Sequence, residues 1–232
     1  INTMYLLLDR SSPVPAAILR DGGRTLSIKR GEACQIRQPL LGGELKAILS
    51  DNGIAPGDLD CAVCGLGPGS FSGIRSVLCA LIGLSLPFGK PLYGLSSAIA
   101  CAIGAKRTGK ISVVGDARRN RLWVVNYRIS DDGAITLADG RVPTHTADDF
   151  MLIAPENLPE AVPEDADVVS PDYSRLQTLL NGCFASRLKL ADAAPDIEAL
   201  ATAFELLRES CPVDPAPIYL QPAVNTPSGP SK

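Results

Sequence analysis

The sequence predicts an α/β protein made of two tandem units, and three observations predict it. Short apolar runs of strand length alternate with helical stripes along the chain. The element order βββαβαβα can be read twice, over residues 1–108 and again over 109–232. Each reading opens on an apolar run that ends in an acid, Asp9 in the first and Asp116 in the second.

The first unit starts with strands Tyr5–Asp9, Pro15–Leu19 and Thr25–Lys29, the last two joined by the hairpin turn Asp21-Gly22-Gly23. A helix is expected over Leu40–Asn52, with Leu41, Leu45, Ile48 and Leu49 at helical spacing and Gly53 just past its end. Strand Cys61–Gly65, helix Ile74–Leu86, strand Leu92–Leu95 and helix Ser97–Ala105 complete it. The second unit reads as strands Ile111–Asp116, Leu122–Ile129 and Ala134–Val142, turned at Asp132-Gly133. A short helix starts at Thr146-Ala147-Asp148-Asp149 with capping-box spacing. Strand Asp167–Ser170, helix Tyr173–Cys183, strand Leu188–Leu190 and helix Asp196–Glu209 follow, the last striped by Ile197, Leu200, Ala201, Phe204 and Leu207.

Two ribonuclease-H-like units in tandem form the actin-like (ASKHA) architecture, whose ligand cleft lies between the units. In that architecture the acid of each opening hairpin faces a nucleotide phosphate or its metal, which makes Asp9, Ser11, Ser12, Asp116 and Arg118 candidate nucleotide-binding residues here. Neither hairpin is well suited to bind phosphate through its backbone. Backbone N–H groups reach a phosphate only where side chains are small. The first hairpin continues Asp9-Arg10-Ser11-Ser12-Pro13 and the second Asp116-Ala117-Arg118-Arg119-Asn120-Arg121. Strong ATP hydrolysis is therefore not expected, although the arginines can hold an anion by side chain.

The run Gly65-Leu66-Gly67-Pro68-Gly69-Ser70-Phe71-Ser72-Gly73-Ile74-Arg75 is the most specific stretch of the chain. Its four glycines and its proline prescribe a backbone path, and Ser70 or Ser72 can cap the helix that follows. The loop is either an anion cradle or a rigid elbow that presents that helix. It is not a P-loop, because no Gly-Lys-Ser/Thr ends it, and its glycine spacing is not that of a dinucleotide fingerprint.

Composition excludes several classes. A net charge of −3 without a long cationic tract argues against tight nucleic-acid binding by the chain alone. No stretch is expected to cross a membrane and no signal-peptide pattern opens the sequence, so a cytoplasmic location is expected. Ile1-Asn2-Thr3 is set aside as a processing or cloning remnant. Seven cysteines, an odd number, with Cys61, Cys64, Cys79 and Cys101 in apolar runs, read as small buried hydrophobes in a reducing compartment. The single histidine, His145, lies in a polar run and reads as a solvated surface residue. One histidine supports neither a paired-histidine metal site nor a Ser–His–Asp triad.

The glycine-rich run closely resembles the signature GxGPGSFTG(I/L/V)R of the TsaB (YeaZ) family. Leu6-Leu7-Leu8-Asp9-Arg10-Ser11-Ser12, Pro91-Leu92-Tyr93-Gly94-Leu95-Ser96-Ser97, Asp116-Ala117-Arg118-Arg119 with Leu122-Trp123-Val124-Val125, and Pro217-Ile218-Tyr219-Leu220 resemble four further family segments. The likeness is weak between about Thr136 and Ala216. It implies a subunit without catalysis of its own that binds the TsaD catalytic subunit and supports threonylcarbamoyl transfer to the adenosine beside the tRNA anticodon. It also implies a TsaE-like ATPase in the same pathway, contact with tRNA only through the complex, and no membrane. No tightly bound cofactor is implied, with ADP or ATP reserved for a subunit interface. The alternatives are a stand-alone actin-like ATPase or phosphotransferase and a glycoprotease-type metallopeptidase. The sequence departs from the family pattern at Gln38–Glu44, where a His-Ser-Glu-like trio is usual, and at Arg10, Ser72 and Gln221.

In the helix after the loop, Ile74, Val77, Leu78, Leu81 and Ile82 form a stripe expected to bury against the sheet. Ser72, Gly73, Ser76, Cys79, Ala80 and Gly83 fall on a small-residue face that lets another helix approach. That face packs either on the chain's own preceding helix or on a partner, and the resemblance favours a TsaD-like subunit or a second copy. Gly67, Pro68, Gly69, Ser70, Phe71 and Arg75 are then the structural loop.

Overall fold

The computed structural model describes residues 3–31, 43–105, 108–190 and 195–221. The Gln38–Glu44 departure, the start of the Leu40–Asn52 helix and the tail beyond Gln221 lie outside them, apart from Gly43 and the backbone of residue 44.

The first half runs β1 (Met4–Asp9), β2 (Ala16–Asp21), β3 (Arg24–Arg30), α1 (Gly43–Ser50), β4 (Cys61–Gly65), α2 (Phe71–Ser85), β5 (Leu92–Leu95) and α3 (Ala98–Gly104). The second half runs β6 (Gly109–Arg118), β7 (Arg121–Ile129), β8 (Ile135–Leu137), β9 (Met151–Ile153), α4 (Leu158–Ala161), β10 (Asp167–Val169), α5 (Tyr173–Phe184), β11 (Leu188–Leu190) and α6 (Ile197–Leu207). The sheets are ordered β3-β2-β1-β4-β5 and β8-β7-β6-β10-β11, each with an antiparallel meander and two parallel strands. This is the mixed α/β, actin-like fold expected.

Strand periodicity places the cores. Tyr5 and Leu7 of β1, with Val113 and Val125 from the second sheet, point into a cluster between the two sheets. Their neighbours Leu6 and Leu8 point the other way, toward α1 and α2. Val114 and Val124 point toward α4 and α5. The middle layer is exchanged between the halves: α3 packs on β6 and β7, and α6 packs on β1 and β2. Arg20 of β2 makes a two-pronged pair with Glu205 of α6, both nitrogens at 3.2 Å, and the Tyr5 hydroxyl donates to the same carboxylate at 2.8 Å.

Four local differences have physical causes. Helix α2 starts at Phe71, before the expected Ile74, because Ser70 is the cap: its Oγ accepts from the Gly73 N–H at 3.2 Å. Thr146 caps one 3₁₀ turn rather than an α-helix, and β9 follows it and pairs with Leu122–Val124 of β7. Pro155 and Pro159 keep that region from forming a longer helix. Ile218–Leu220 does not form the expected strand; the ladder contact lies earlier, at Val213 opposite Tyr93. Phe71–Phe88 is, against expectation, long and apolar enough to cross a bilayer, since Arg75 is its one charge before Phe88. Here Ile74, Val77 and Leu81 of that segment are buried within the protein.

Candidate functional site

A cleft of about 800 Å³ opens between the halves. Its walls are the β1–β2 loop (Arg10, Ser11, Ser12), the glycine-rich loop with the start of α2, the β6–β7 hairpin (Asp116, Arg118), the start of α5 (Asp172, Arg175) and the chain's closing segment at Tyr219 and Gln221.

The glycines of the loop are set by close approach. A side chain on Gly69 would lie 2.2 Å from the Ser11 carbonyl, and one on Gly73 would lie 2.3 Å from the Arg10 carbonyl. The Ser70 N–H donates to the Ser11 carbonyl at 2.8 Å, so loop and hairpin are joined backbone to backbone. Gly67 takes φ +86, and its peptide bond to Pro68 is cis. Of the two readings of this loop, the packing is that of an elbow.

Asp9 lies beneath the cleft floor. Its carboxylate accepts from Ser97 Oγ at 2.6 Å, from Ser11 Oγ at 2.8 Å and from the Ser11 N–H at 3.3 Å. Burial pushes its pKa above the usual carboxylate value, and these three donors pull it back. Ser97 Oγ also accepts from the Gly67 N–H at 3.0 Å, which ties acid, loop and the start of α3 into one knot. The sequence marks Ser97 as the start of a helix but gives neither Ser96 nor Ser97 a place in the site. Two serines directly before a helix were the available signal.

Asp116 is built differently. It is partly exposed and binds Arg118 at 3.1 Å and Arg175 at 3.2 Å. Its own N–H donates to the Asp172 carboxylate at 3.0 Å. Of the candidate nucleotide residues, Ser11, Ser12, Asp116 and Arg118 thus line the cleft, and Asp9 does not. Among the described residues no group of three His, Cys, Asp or Glu side chains is arranged to hold a metal ion.

Two sequence expectations are corrected. His145 is buried, at 1% exposure, not solvated. Its Nδ1 accepts from the Ser96 N–H at 3.3 Å, its own N–H donates to Asp149 at 2.7 Å, and burial lowers its pKa to about 4. Polar neighbours in sequence hid it, because what covers it comes from the other half of the chain. Cys79 is exposed on α2, unlike the buried Cys61, Cys64 and Cys101.

Along α2, Ser72, Cys79 and Gly83 are exposed, Ser76 and Ala80 half-buried, and Gly73 faces inward against Arg10. Ile82, assigned above to the buried stripe, is 44% exposed; beyond it Leu86 and Phe88 are 74% and 49% exposed. At the other end Phe71 stacks against Tyr219 with ring centroids 4.9 Å apart, and Arg75 lies over the Phe71 ring. Tyr219 belongs to a strap: the Ile218 N–H donates to the Leu66 carbonyl at 3.0 Å, and Gln221 Nε2 donates to the Ala117 and Arg118 carbonyls at 2.9 and 3.1 Å.

Residues 38–143 match the family model described as TsaD, tRNA N6-adenosine threonylcarbamoyltransferase. An uncharacterized protein of Mycobacterium tuberculosis is 37% identical over 81 residues, 35% of this chain and 37% of that protein. The tRNA threonylcarbamoyladenosine biosynthesis protein TsaB of Escherichia coli is 32% identical over 89 residues, 37% of this chain and 38% of that protein. The chain thus spans little more than a third of the length of these curated relatives. Two solved Pseudomonas aeruginosa structures superpose over 94% of this chain and all of theirs. One, described as similar to peptidase YeaZ, has a TM-score of 0.72 at 21% identity. The other, YeaZ, has 0.69 at 22%; at such identities the likeness is one of fold.

Proposed function

We propose that this chain is a member of the TsaB (YeaZ) family and acts as a non-catalytic subunit that binds and organises a TsaD-type catalytic subunit. In this reading it supports threonylcarbamoyl transfer to the adenosine beside the tRNA anticodon. The observation that carries the reading is the outer face of α2. Ile74, Val77 and Leu81 satisfy the sheet, while Cys79, Ile82, Gly83, Leu86 and Phe88 stay uncovered on a segment only 28% buried. Small residues at 79, 80 and 83 let a second helix come close, and the apolar residues beyond them supply area to bury. Pairing of two copies through the same helix competes with the TsaD-type partner. A TsaE-like ATPase joins the assembly, ADP or ATP is held at a subunit interface near Arg10 and Arg118, and the assembly is cytoplasmic.

The test is co-purification with a TsaD-type subunit, followed by tRNA modification with and without this chain. A side chain at Gly83 would meet nothing within 4 Å, so Gly83→Leu leaves the free fold intact. Gly83→Leu and Cys79→Arg are expected to abolish co-purification and modification while the melting temperature does not fall. Undiminished co-purification of both variants would refute the reading. ATP turnover by the purified chain alone, lost in Asp116→Ala, would favour the phosphotransferase alternative.

A further inference from the structure

In the actin-like architecture the opening acids face a phosphate or the divalent ion that accompanies it. Such an ion takes oxygen ligands, often one or two carboxylates completed by water and phosphate oxygens. Asp9 offers it nothing. Its carboxylate lies beneath the cleft floor and already accepts from Ser97 Oγ, Ser11 Oγ and the Ser11 N–H. Asp116 and Asp172 both line the cleft, and as carboxylates they are donors of the right kind.

The place between them is taken. Arg175 sends one guanidinium nitrogen to Asp116 Oδ2 at 3.2 Å and the other to Asp172 Oδ1 at 3.0 Å. Arg118 Nη1 reaches the same Asp116 oxygen at 3.1 Å. Two carboxylates thus face two guanidinium groups, and the charges of these four groups cancel. No surplus of negative charge is left among them to draw a divalent ion out of water.

The two acids are also oriented without any guanidinium. The Asp116 N–H donates to Asp172 Oδ2 at 3.0 Å, and the Arg118 N–H donates to Asp116 Oδ1 at 2.8 Å. Arg175 therefore bridges a pair that the backbone has already brought together. Its position three residues after Asp172 on α5 accounts for one of its two contacts. The other reaches across to Asp116, on β6. We infer that Arg175 stands where the architecture otherwise places a divalent ion, as a cation tethered to α5 in place of an exchangeable one. A guanidinium keeps its charge at every working pH. An anionic ligand of the cleft thus meets a positive charge that no chelator removes. This role belongs to the corner's own groups and holds whether or not the chain serves a TsaD-type subunit.

The test uses the full chain and Mn²⁺ alone, with bound metal read from loss of the free-ion electron paramagnetic resonance signal. The natural chain and Asp116→Asn are expected to give the same titration, because no Mn²⁺ is held at this corner. The variant that combines Arg118→Asn with Arg175→Ala leaves both carboxylates and the backbone bonds that orient them, and Asn tolerates the φ of 68° at position 118. It is expected to gain one Mn²⁺ site with a dissociation constant on the order of 10⁻³ M or tighter, as in weak all-oxygen sites. Adding Asp116→Asn to it is expected to remove that gain. Arg175→Ala alone keeps the hairpin unchanged and is expected to gain the same site more weakly, since Arg118 remains on Asp116. Exposed ion pairs contribute little to stability, so melting followed by circular dichroism is expected to show both variants folded. Asp116-dependent Mn²⁺ binding by the natural chain would overturn the inference. So would the absence of Asp116-dependent binding in both variants, because the two acids would then form no cation site for Arg175 to fill.

Discussion

The two halves begin alike, with a buried strand that carries an acid at or near its end, Asp9 in β1 and Asp116 in β6, and they use that acid in opposite ways. Asp9 is sealed under the cleft by two serine hydroxyls, and the loop above it meets the hairpin backbone to backbone across Gly69 and Gly73. Asp116 stays in reach of solvent, and its corner is held by side-chain charge: Arg118 and Arg175 on its carboxylate and Asp172 on its N–H. One corner is close-packed and buried, the other ionic and open. Equivalent positions in a repeated topology therefore do not carry equivalent chemistry. The first corner has become part of the frame that aims α2, and the second remains a surface.

This contrast predicts unequal costs of substitution. The largest effect is expected at Gly69→Ala, where the added methyl group meets the Ser11 carbonyl and backbone must move. A loss of about 3 kcal/mol in urea unfolding is expected, and a loss near zero would mean the corner is not close-packed. Asp9→Ala should come next, at about 2–3 kcal/mol, since it strips the acceptor from buried hydroxyls and one N–H. Asp116→Ala should cost about 1 kcal/mol or less, because exposed ion pairs contribute little. Equal losses from the two aspartates would erase the distinction between the halves.

The most specific effect concerns pH and the seam between the halves. His145 has a folded pKa of about 4, below the usual 6.5, so the unfolded chain binds the proton more readily. Its neutral form contributes stability above pH 6.5 that is lost as pH falls toward 4. Asp9, with a raised pKa, acts in the opposite direction in acid. Comparing the natural chain with His145→Gln cancels the Asp9 contribution. The melting temperature of the variant is expected to fall less steeply between pH 6.5 and 4. Identical slopes would place His145 outside the titrating seam.

Much of the fold was legible because its signals are local. Strands Cys61–Gly65, Leu92–Leu95 and Leu188–Leu190 have the bounds read from the sequence. Short apolar runs between turn residues leave little freedom in where a strand can lie. The glycine-rich loop was legible as a path, since only glycine permits such close approach. The burial of His145, the exposure of Ile82 and the role of Ser97 were not legible, for each depends on residues far away in the chain. Strand β9 was missed because three apolar residues carry no period of their own and become a strand only when β7 offers an edge.

By itself the sequence determined the mixed α/β class, most of the element order in the first half, the elbow before α2 and the family resemblance, all of which rest on backbone preference and on spacing within one segment. The tertiary structure decided which acid is sealed and which is open, which face of α2 is bare, and how the closing strap braces an arginine turn. Burial and electrostatics are set by what packs from elsewhere, and here the two halves exchange α3 and α6 across their common seam.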